Sequence, residues 1–226
     1  MERHLDEELK ILNTDLLRMA AMVEEAIHKS IESLKKRDKE LATKNIIDDQ
    51  RIDEMEIKIE ERIIDLLALF QPMAIDLRFI TTGMHVNAEL ERIADLTVNI
   101  SQRVLDLADQ PLLKPLVDIP KLADQAQWML KHAIDAFVKR DEDIAKKVIL
   151  SDKESNNLRT AVMKTLIYDY MVKDGTTAPR AIPLLLIARD LERICDHAAA
   201  IAEDVIYMIR AKVVKHHRER LQSSQG

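Results

Sequence analysis

Leu5, Leu9, Leu12, Leu16, Met19, Val23 and Ala26 recur at alternating spacings of four and three residues, with Asp6, Lys10, Asn13, Asp15, Arg18 and Glu24 between them. On a 3.6-residue period these form one apolar stripe, which predicts a first helix. It runs to Lys35-Lys36-Arg37, whose cations suit the negative end of a helix dipole. Asp38 then caps a second helix, with Ile52, Ile59, Ile63, Leu66 and Phe70 on one line and a break at Gln71-Pro72. A third helix carries Phe79, Val86, Leu90, Ile93, Ile100 and Val104. Pro111, Pro115 and Pro120 crowd the next stretch and predict a boundary between a first unit, residues 1–110, and a second, residues 118–226.

The plan then repeats. A fourth helix covers about 119–139, and Asp141 caps a fifth with Glu142 and Asp143 in its first turn. Lys173-Asp174-Gly175-Thr176 reads as a turn, and Thr177 as the cap of a sixth helix that has Pro179 in its first turn and runs to about Val214. Letters repeat as well as pattern. Lys36-Arg37-Asp38 returns as Lys139-Arg140-Asp141 at an offset of 103, and Glu91-Arg92-Ile93-Ala94-Asp95 as Glu192-Arg193-Ile194-Cys195-Asp196 at an offset of 101. The expected fold is therefore all-α: six long helices in two tandem antiparallel three-helix bundles, an internal duplication.

Composition narrows the alternatives. Of 226 residues, 3 are Gly and 6 are Pro, whereas average usage of the two together is roughly 12%. That is too little turn chemistry for a β-sandwich or a doubly wound α/β fold, and a Gly-rich phosphate loop is excluded. Aromatics are 3%, so the core is built from Leu, Ile, Val, Ala and Met. A net charge of −6 argues against nonspecific nucleic-acid binding. A single cysteine, Cys195, suggests a reducing compartment, and the acidic start Glu2-Arg3-His4-Leu5-Asp6 does not read as a secretory segment. The longest uncharged run, Leu66 to Ile75, is about half of what a bilayer requires. A soluble cytoplasmic protein without membrane insertion is expected.

The chemistry-bearing residues are carboxylates. Glu91 and Asp95 are four residues apart, as are Glu192 and Asp196, so each pair shares a helix face at the edge of the apolar stripe. An uncompensated carboxylate there is costly and asks for a cation. On the preceding helix Asp49, Asp53, Glu56 and Glu60 form a second acidic stripe. Asp49 lies 22 residues before the turn at Gln71 and Glu91 lies 20 after it; Asp152 lies 23 before Gly175 and Glu192 lies 17 after it. In antiparallel hairpins these heights match. Asp49, Asp53, Glu91 and Asp95 are thus expected to converge in one half, and Asp152, Glu192 and Asp196 in the other. Oxygen-only donors suit Mg²⁺, Mn²⁺ or iron. The second half is poorer, because Asn156, Arg159 and Ala200 stand where the first has Asp53, Glu56 and Asn99. The ordinary alternative is ion pairing with Arg92 and Arg193.

Other constellations are weaker. Glu25-Ala26-Ile27-His28 has the spacing of a di-iron motif, but such sites need two, so His28 reads as a surface residue. Cys195 reads as core, and the basic tail from Arg210 to Arg220 as a favourable helix C-terminus.

Leu77-Arg78-Phe79-Ile80 followed by Leu90-Glu91-Arg92-Ile93-Ala94-Asp95-Leu96-Thr97-Val98-Asn99-Ile100, and later Ala188-Arg189-Asp190-Leu191-Glu192-Arg193-Ile194-Cys195-Asp196-His197-Ala198, resemble the two signature strings of the PhoU family of bacterial phosphate-signalling regulators. The resemblance spans essentially the whole chain. It implies a non-enzymatic adaptor, a negative regulator of phosphate uptake and of the Pho regulon. Its partners would be the ATPase of the phosphate ABC transporter and the phosphate sensor histidine kinase. It further implies a homodimer, held at the inner membrane face through partners, with divalent or iron ions at Glu91, Asp95, Glu192 and Asp196. Asp49, Asp53 and Asp152 join that set on the geometric argument above. A carboxylate-bridged metalloenzyme and a purely structural helical scaffold are the rival readings.

Overall fold

The computed structural model describes residues 2–113 and 118–211. Among them the chain is helical, without strands. Helix α1 spans Glu2–Lys36, α2 Lys39–Asp48, α3 Gln50–Phe70 and α4 Ala74–Leu107. The second half contains α5, Asp118–Lys139, α6, Glu142–Lys164, and α7, Ala178–Arg210. The first bundle packs α1 and the α2–α3 arm on α4; the second packs α5 and α6 on α7. The expected all-α fold with an internal duplication is the one observed. The bundles join where α4 lies against α7 and α1 against α5.

Each apolar stripe faces inward. Leu12, Leu16, Met19, Val23 and Ala26 of α1 are buried, as are Phe79, Val86, Leu90, Ile93, Ile100 and Val104 of α4. Gly83 lets the two helices approach: a Cβ there would stand 3.3 Å from Leu16 Cδ1. Phe79 of α4 stacks on Phe137 of α5, with ring centroids 5.3 Å apart, so the aromatic core crosses between the halves.

Local signals mark the helix ends. Asp38 accepts from the Leu41 amide, and Asp141 from the amides of Asp143 and Ile144. The residue before each cap is an arginine in the left-handed region, Arg37 at φ 58° and Arg140 at φ 51°. A non-glycine residue there costs on the order of 1 kcal/mol, and both halves accept that cost. Arg37 uses the turn, because its guanidinium donates to the carbonyls of Leu107, Ala108 and Gln110 and so caps the end of α4. Arg140 lies over the Phe79 ring, 5.3 Å from its centroid. The end of α7 is met instead by Arg78, whose Nε donates to the Met208 carbonyl at 3.0 Å.

Two expectations are corrected. The second helix is not continuous: it is interrupted at Asp49, where the Ile52 amide closes on the Asp49 carbonyl at 2.7 Å. Just before the break, buried Asn45 donates to Thr97 Oγ1 and Ser101 Oγ, fixing α2 to α4 by polar contacts that no apolar period reports. Thr177 does not cap α7 with its side chain; its hydroxyl donates to the Asp174 carbonyl, while Asp174 Oδ1 accepts from the amide and the hydroxyl of Thr176. The last helix ends at Arg210, and the predicted end at Val214 and the basic tail beyond Ala211 lie outside the described residues. One feature has no antecedent in the pattern: Thr165–Met171 is a π-helix. The matching arm of the first half stays α-helical to Phe70.

Polar side chains stitch the α4–α7 contact along its length. Asp190, fully buried, pairs with Arg103 at 2.7 Å and with Arg189 at 3.1 Å. Glu89 accepts from His197 at 2.5 Å, and His85 stands 3.3 Å from Asp204.

Two outcomes follow for stability, both measured by denaturant unfolding. Arg37→Ala should cost about 2 kcal/mol, since several carbonyls lose a charged donor, whereas Arg140→Ala should cost about 0.5–1 kcal/mol, the worth of an exposed cation–π contact. Asp190→Ala should cost about 3–5 kcal/mol, because it strands the Arg103 guanidinium between the halves. The double variant with Arg103→Ala should then lose clearly less than the sum of the two single changes.

Candidate functional site

The carboxylates stand along the contact between α3 and α4. On α4, Leu90, Ile93 and Ala94 turn inward and are buried, which leaves Glu91 half-buried and Asp95 exposed one turn further on. On α3, Ile52, Met55 and Ile59 do the same, leaving Asp53 exposed and Glu56 half-buried; Asp49 sits half-buried at the break. Asn87, one turn before Glu91, is buried and donates from Nδ2 to the Glu56 carbonyl at 3.0 Å, so this part of α4 is clamped to α3.

The electrostatics show which of these groups feel one another. Burial pushes the Glu91 carboxyl up to about 7, helped by the charges of Asp95 and Glu56, a hydrogen bond with Asp95, and the charge of Asp53. Burial likewise pushes Asp49 up to about 6, with Asp53 and Asp95 adding to it. Glu56 is raised by burial and by Glu60, Asp53 and Asp95. Asp49, Asp53, Glu91 and Asp95 therefore share one negative field, and Glu56 belongs to it. No cation lies among the causes of these three shifts. Arg92 turns away and pairs with Glu89 at 2.9 Å.

The second half differs. Asp152 is buried beside Ser155, whose hydroxyl donates to the Asp152 carbonyl at 2.6 Å and approaches its carboxylate at 3.3 Å. Glu192 is raised by burial and by Asp196, but Arg159 lowers it, reaching Glu192 Oε2 at 3.5 Å. Asp152 adds to the Glu192 shift, so Asp152, Glu192 and Asp196 also share a field, in this case with a guanidinium inside it. Cys195 is buried with its thiol pushed well up, chiefly by burial, and is inert. His28 is exposed, as expected.

The donor set is all oxygen in both halves, and the first half carries negative charge that a hard cation would relieve. As they stand, no three His, Cys, Asp or Glu side chains among the described residues are gathered tightly enough to hold one ion. The shared field thus brings the predicted residues into one neighbourhood without assembling a closed coordination shell.

Sequence reasoning passed over Glu89 and Asp190. Each stands two residues before the motif glutamate of its half, Glu91 and Glu192, and each reaches across the α4–α7 contact, Asp190 to Arg103 in an ion pair and Glu89 to His197 in a hydrogen bond. An acidic residue repeated at that position was the available signal.

Comparison with known proteins agrees with this architecture. The model of the PhoU domain matches twice, at residues 16–104 and 119–205. The "Phosphate-specific transport system accessory protein PhoU homolog 2" of Thermotoga maritima is 34% identical over 221 residues, 98% of this chain and 94% of that protein. The PhoU homolog of Aquifex aeolicus is 38% identical over 212 residues, covering 94% and 96%. The crystal structure of PhoU from Pseudomonas aeruginosa superposes with a TM-score of 0.88 at 32% identity, covering 92% of this chain and 99% of that one. The PhoU structure from Streptococcus pneumoniae gives 0.86 at 28% identity.

A raised carboxyl binds its proton more tightly in the folded state, so the stability it contributes is full below its unfolded pKa and is lost as pH rises through the folded value. For Glu91 that window runs from the ordinary 4.5 to about 7. Glu91→Gln should remove this loss, so the variant should gain on the parent as pH rises across the window, read as the difference between two chelator-treated melting curves.

Proposed function

The chain belongs to the PhoU family, and from that premise we propose that it is a negative regulator of phosphate uptake and of the Pho regulon. In this reading it is an adaptor coupling the ATPase of the phosphate ABC transporter to the phosphate sensor histidine kinase. It is a phosphate-transport accessory protein and not an enzyme, as its family and the names of its relatives indicate. The observation that carries the finer reading is the pair of tandem PhoU domain matches, which together occupy most of the chain. Physical form supports it. Helices α1, α4 and α7, of 35, 34 and 33 residues, each extend about 50 Å at about 1.5 Å per residue and offer long faces to protein partners. A coupling of about 1–3 kcal/mol between partner binding and kinase state would change signalling about 5–150-fold. The reading sets the protein in the cytoplasm, as a homodimer reaching the inner membrane face through its partners.

The same reading has Glu91 and Asp95, with Asp49 and Asp53, hold a divalent or iron ion. Glu192, Asp196 and Asp152 would form a second, weaker site. The unrelieved charge of the first cluster supports this assignment, and Arg159 accounts for the weakness of the second. A bound ion supplies positive charge there and asks for no chemistry from the protein. Affinity falls at acid pH, because Glu91 and Asp49 must be ionised to bind.

The test is a phosphate-regulon reporter followed beside the protein's abundance. Deleting the gene should release the starvation response in phosphate-rich medium, and complementation should restore repression; unchanged output in the deletion strain refutes the adaptor. Replacing Glu91 and Asp95 together by Ala should lower the metal content of purified protein by elemental analysis and weaken repression. Full repression at normal abundance would remove metal from the mechanism.

A further inference from the structure

The Lys-Arg-Asp string turns the chain twice, and both of its arginines stand in the left-handed region. Arg37 uses its guanidinium on the carbonyls that end α4, and the cavity it borders there is small, about 30 Å³. Arg140 has no such task, because Arg78 already meets the end of α7. Its side chain is exposed and rests on the Phe79 ring, and among the described residues no carbonyl or carboxylate accepts from its N–H groups. An exposed cation–π contact does no more than match the cost of a left-handed non-glycine residue. Glycine would meet the backbone requirement at lower cost, so the turn by itself does not account for an arginine with free donors.

Arg140 borders a groove of about 570 Å³ between α1, the start of α4 and the end of α5, so both halves contribute to its walls. Lys10, Asn13 and Asp6 of α1 line it, with Asp76 from the first turn of α4. Among the described residues none of these side chains makes an ion pair or a side-chain hydrogen bond. The groove between α1 and α3 differs, since its cations are taken: Lys58 pairs with Asp15 at 3.1 Å and Arg62 with Glu8 at 2.7 Å. Leu9 and Val138 add an apolar wall beside Arg140. The volume lies in the range of small-molecule sites.

The free groups define what fits. A guanidinium and an ammonium on one groove recognise a phosphate group, the first through its planar fork and the second as a point charge. Two carboxylates on the same groove disfavour a bare polyanion and ask for donors, which hydroxyl groups supply. We infer that the α1–α4–α5 groove binds a small phosphate monoester of a polyhydroxylated compound, a sugar phosphate or a nucleoside monophosphate. The phosphate lies on Arg140 and Lys10, the hydroxyl groups on Asp6, Asp76 and Asn13, and the carbon skeleton against Leu9 and Val138. Such a ligand bridges the two halves. This goes beyond the adaptor reading and does not depend on it, since binding is read on the purified chain without any partner protein.

Calorimetric titration of the full chain with a hexose monophosphate, adenosine monophosphate, inorganic phosphate and the free hexose tests it. At least one of the esters should bind saturably and at least about tenfold more tightly than inorganic phosphate, with no binding of the free hexose. The ester should also raise the melting temperature, because it binds the folded state alone. Arg140→Ala, with folding checked by circular dichroism, should weaken the ester at least about tenfold. Arg140→Lys should restore only part of the loss, because an ammonium lacks the fork. Asp76→Ala should weaken the ester and not inorganic phosphate. Lys164→Ala, exposed on α6, should change nothing. Absence of saturable binding by both esters overturns the inference. So does equal binding by folded Arg140→Ala protein, and so does inorganic phosphate that binds as tightly as the esters, which would reduce the groove to a plain oxyanion contact.

Discussion

The arrangement of the molecule depends on one charged contact held away from water. Asp190 is fully buried and finds Arg103 on the opposite half, with Arg189 beside it. A buried carboxylate is tolerable only with its partner in place, so the pair sets the register of α7 against α4 more sharply than apolar packing alone. Glu89–His197 and Arg78 to the Met208 carbonyl lie further along the same contact. Once α4 and α7 are locked, Phe79 meets Phe137 across the halves.

Duplication supplied two copies of each device, and the halves use them differently. The Lys-Arg-Asp string makes the same left-handed turn and the same aspartate cap twice, yet Arg37 closes the end of α4 while Arg140 lies on an aromatic ring. The acidic positions diverged in a similar way. In the first half Glu56 adds negative charge to the cluster; in the second Arg159 supplies a cation at the corresponding place. The raised carboxyls of the first cluster have no cation among their causes, whereas Glu192, though still raised, has the Arg159 guanidinium inside its field. Two copies of one motif thus stand in unequal electrostatic settings on a common frame.

The first cluster is under electrostatic tension. Carboxyls raised to about 6 and about 7 store unfavourable charge near neutral pH, and that charge sits between α3 and α4, about twenty residues from the turn that joins them. Anything that neutralises it, an ion or a proton, tightens one arm of the first bundle.

The sequence by itself determined the helices, their caps at Asp38 and Asp141, the break after Phe70 and the duplication, because each rests on local periodicity or on hydrogen bonds closed within a few residues. It also determined that Asp49, Asp53, Glu91 and Asp95 share a neighbourhood, since equal rise on two antiparallel helices is simple arithmetic. Only the tertiary structure decided how the halves meet. Arg103, Asp190, Glu89 and His197 look like ordinary solvated side chains when read in order, and their partners lie 87 and 108 residues away. It also decided the interruption at Asp49, which accompanies the hold of Asn45 on Thr97 and Ser101 of another helix, and the π-helix at Thr165–Met171. A polar side chain carries no periodicity that reveals its partner: the hydrophobic pattern says which face is inside, and only packing says which charge is neutralised there.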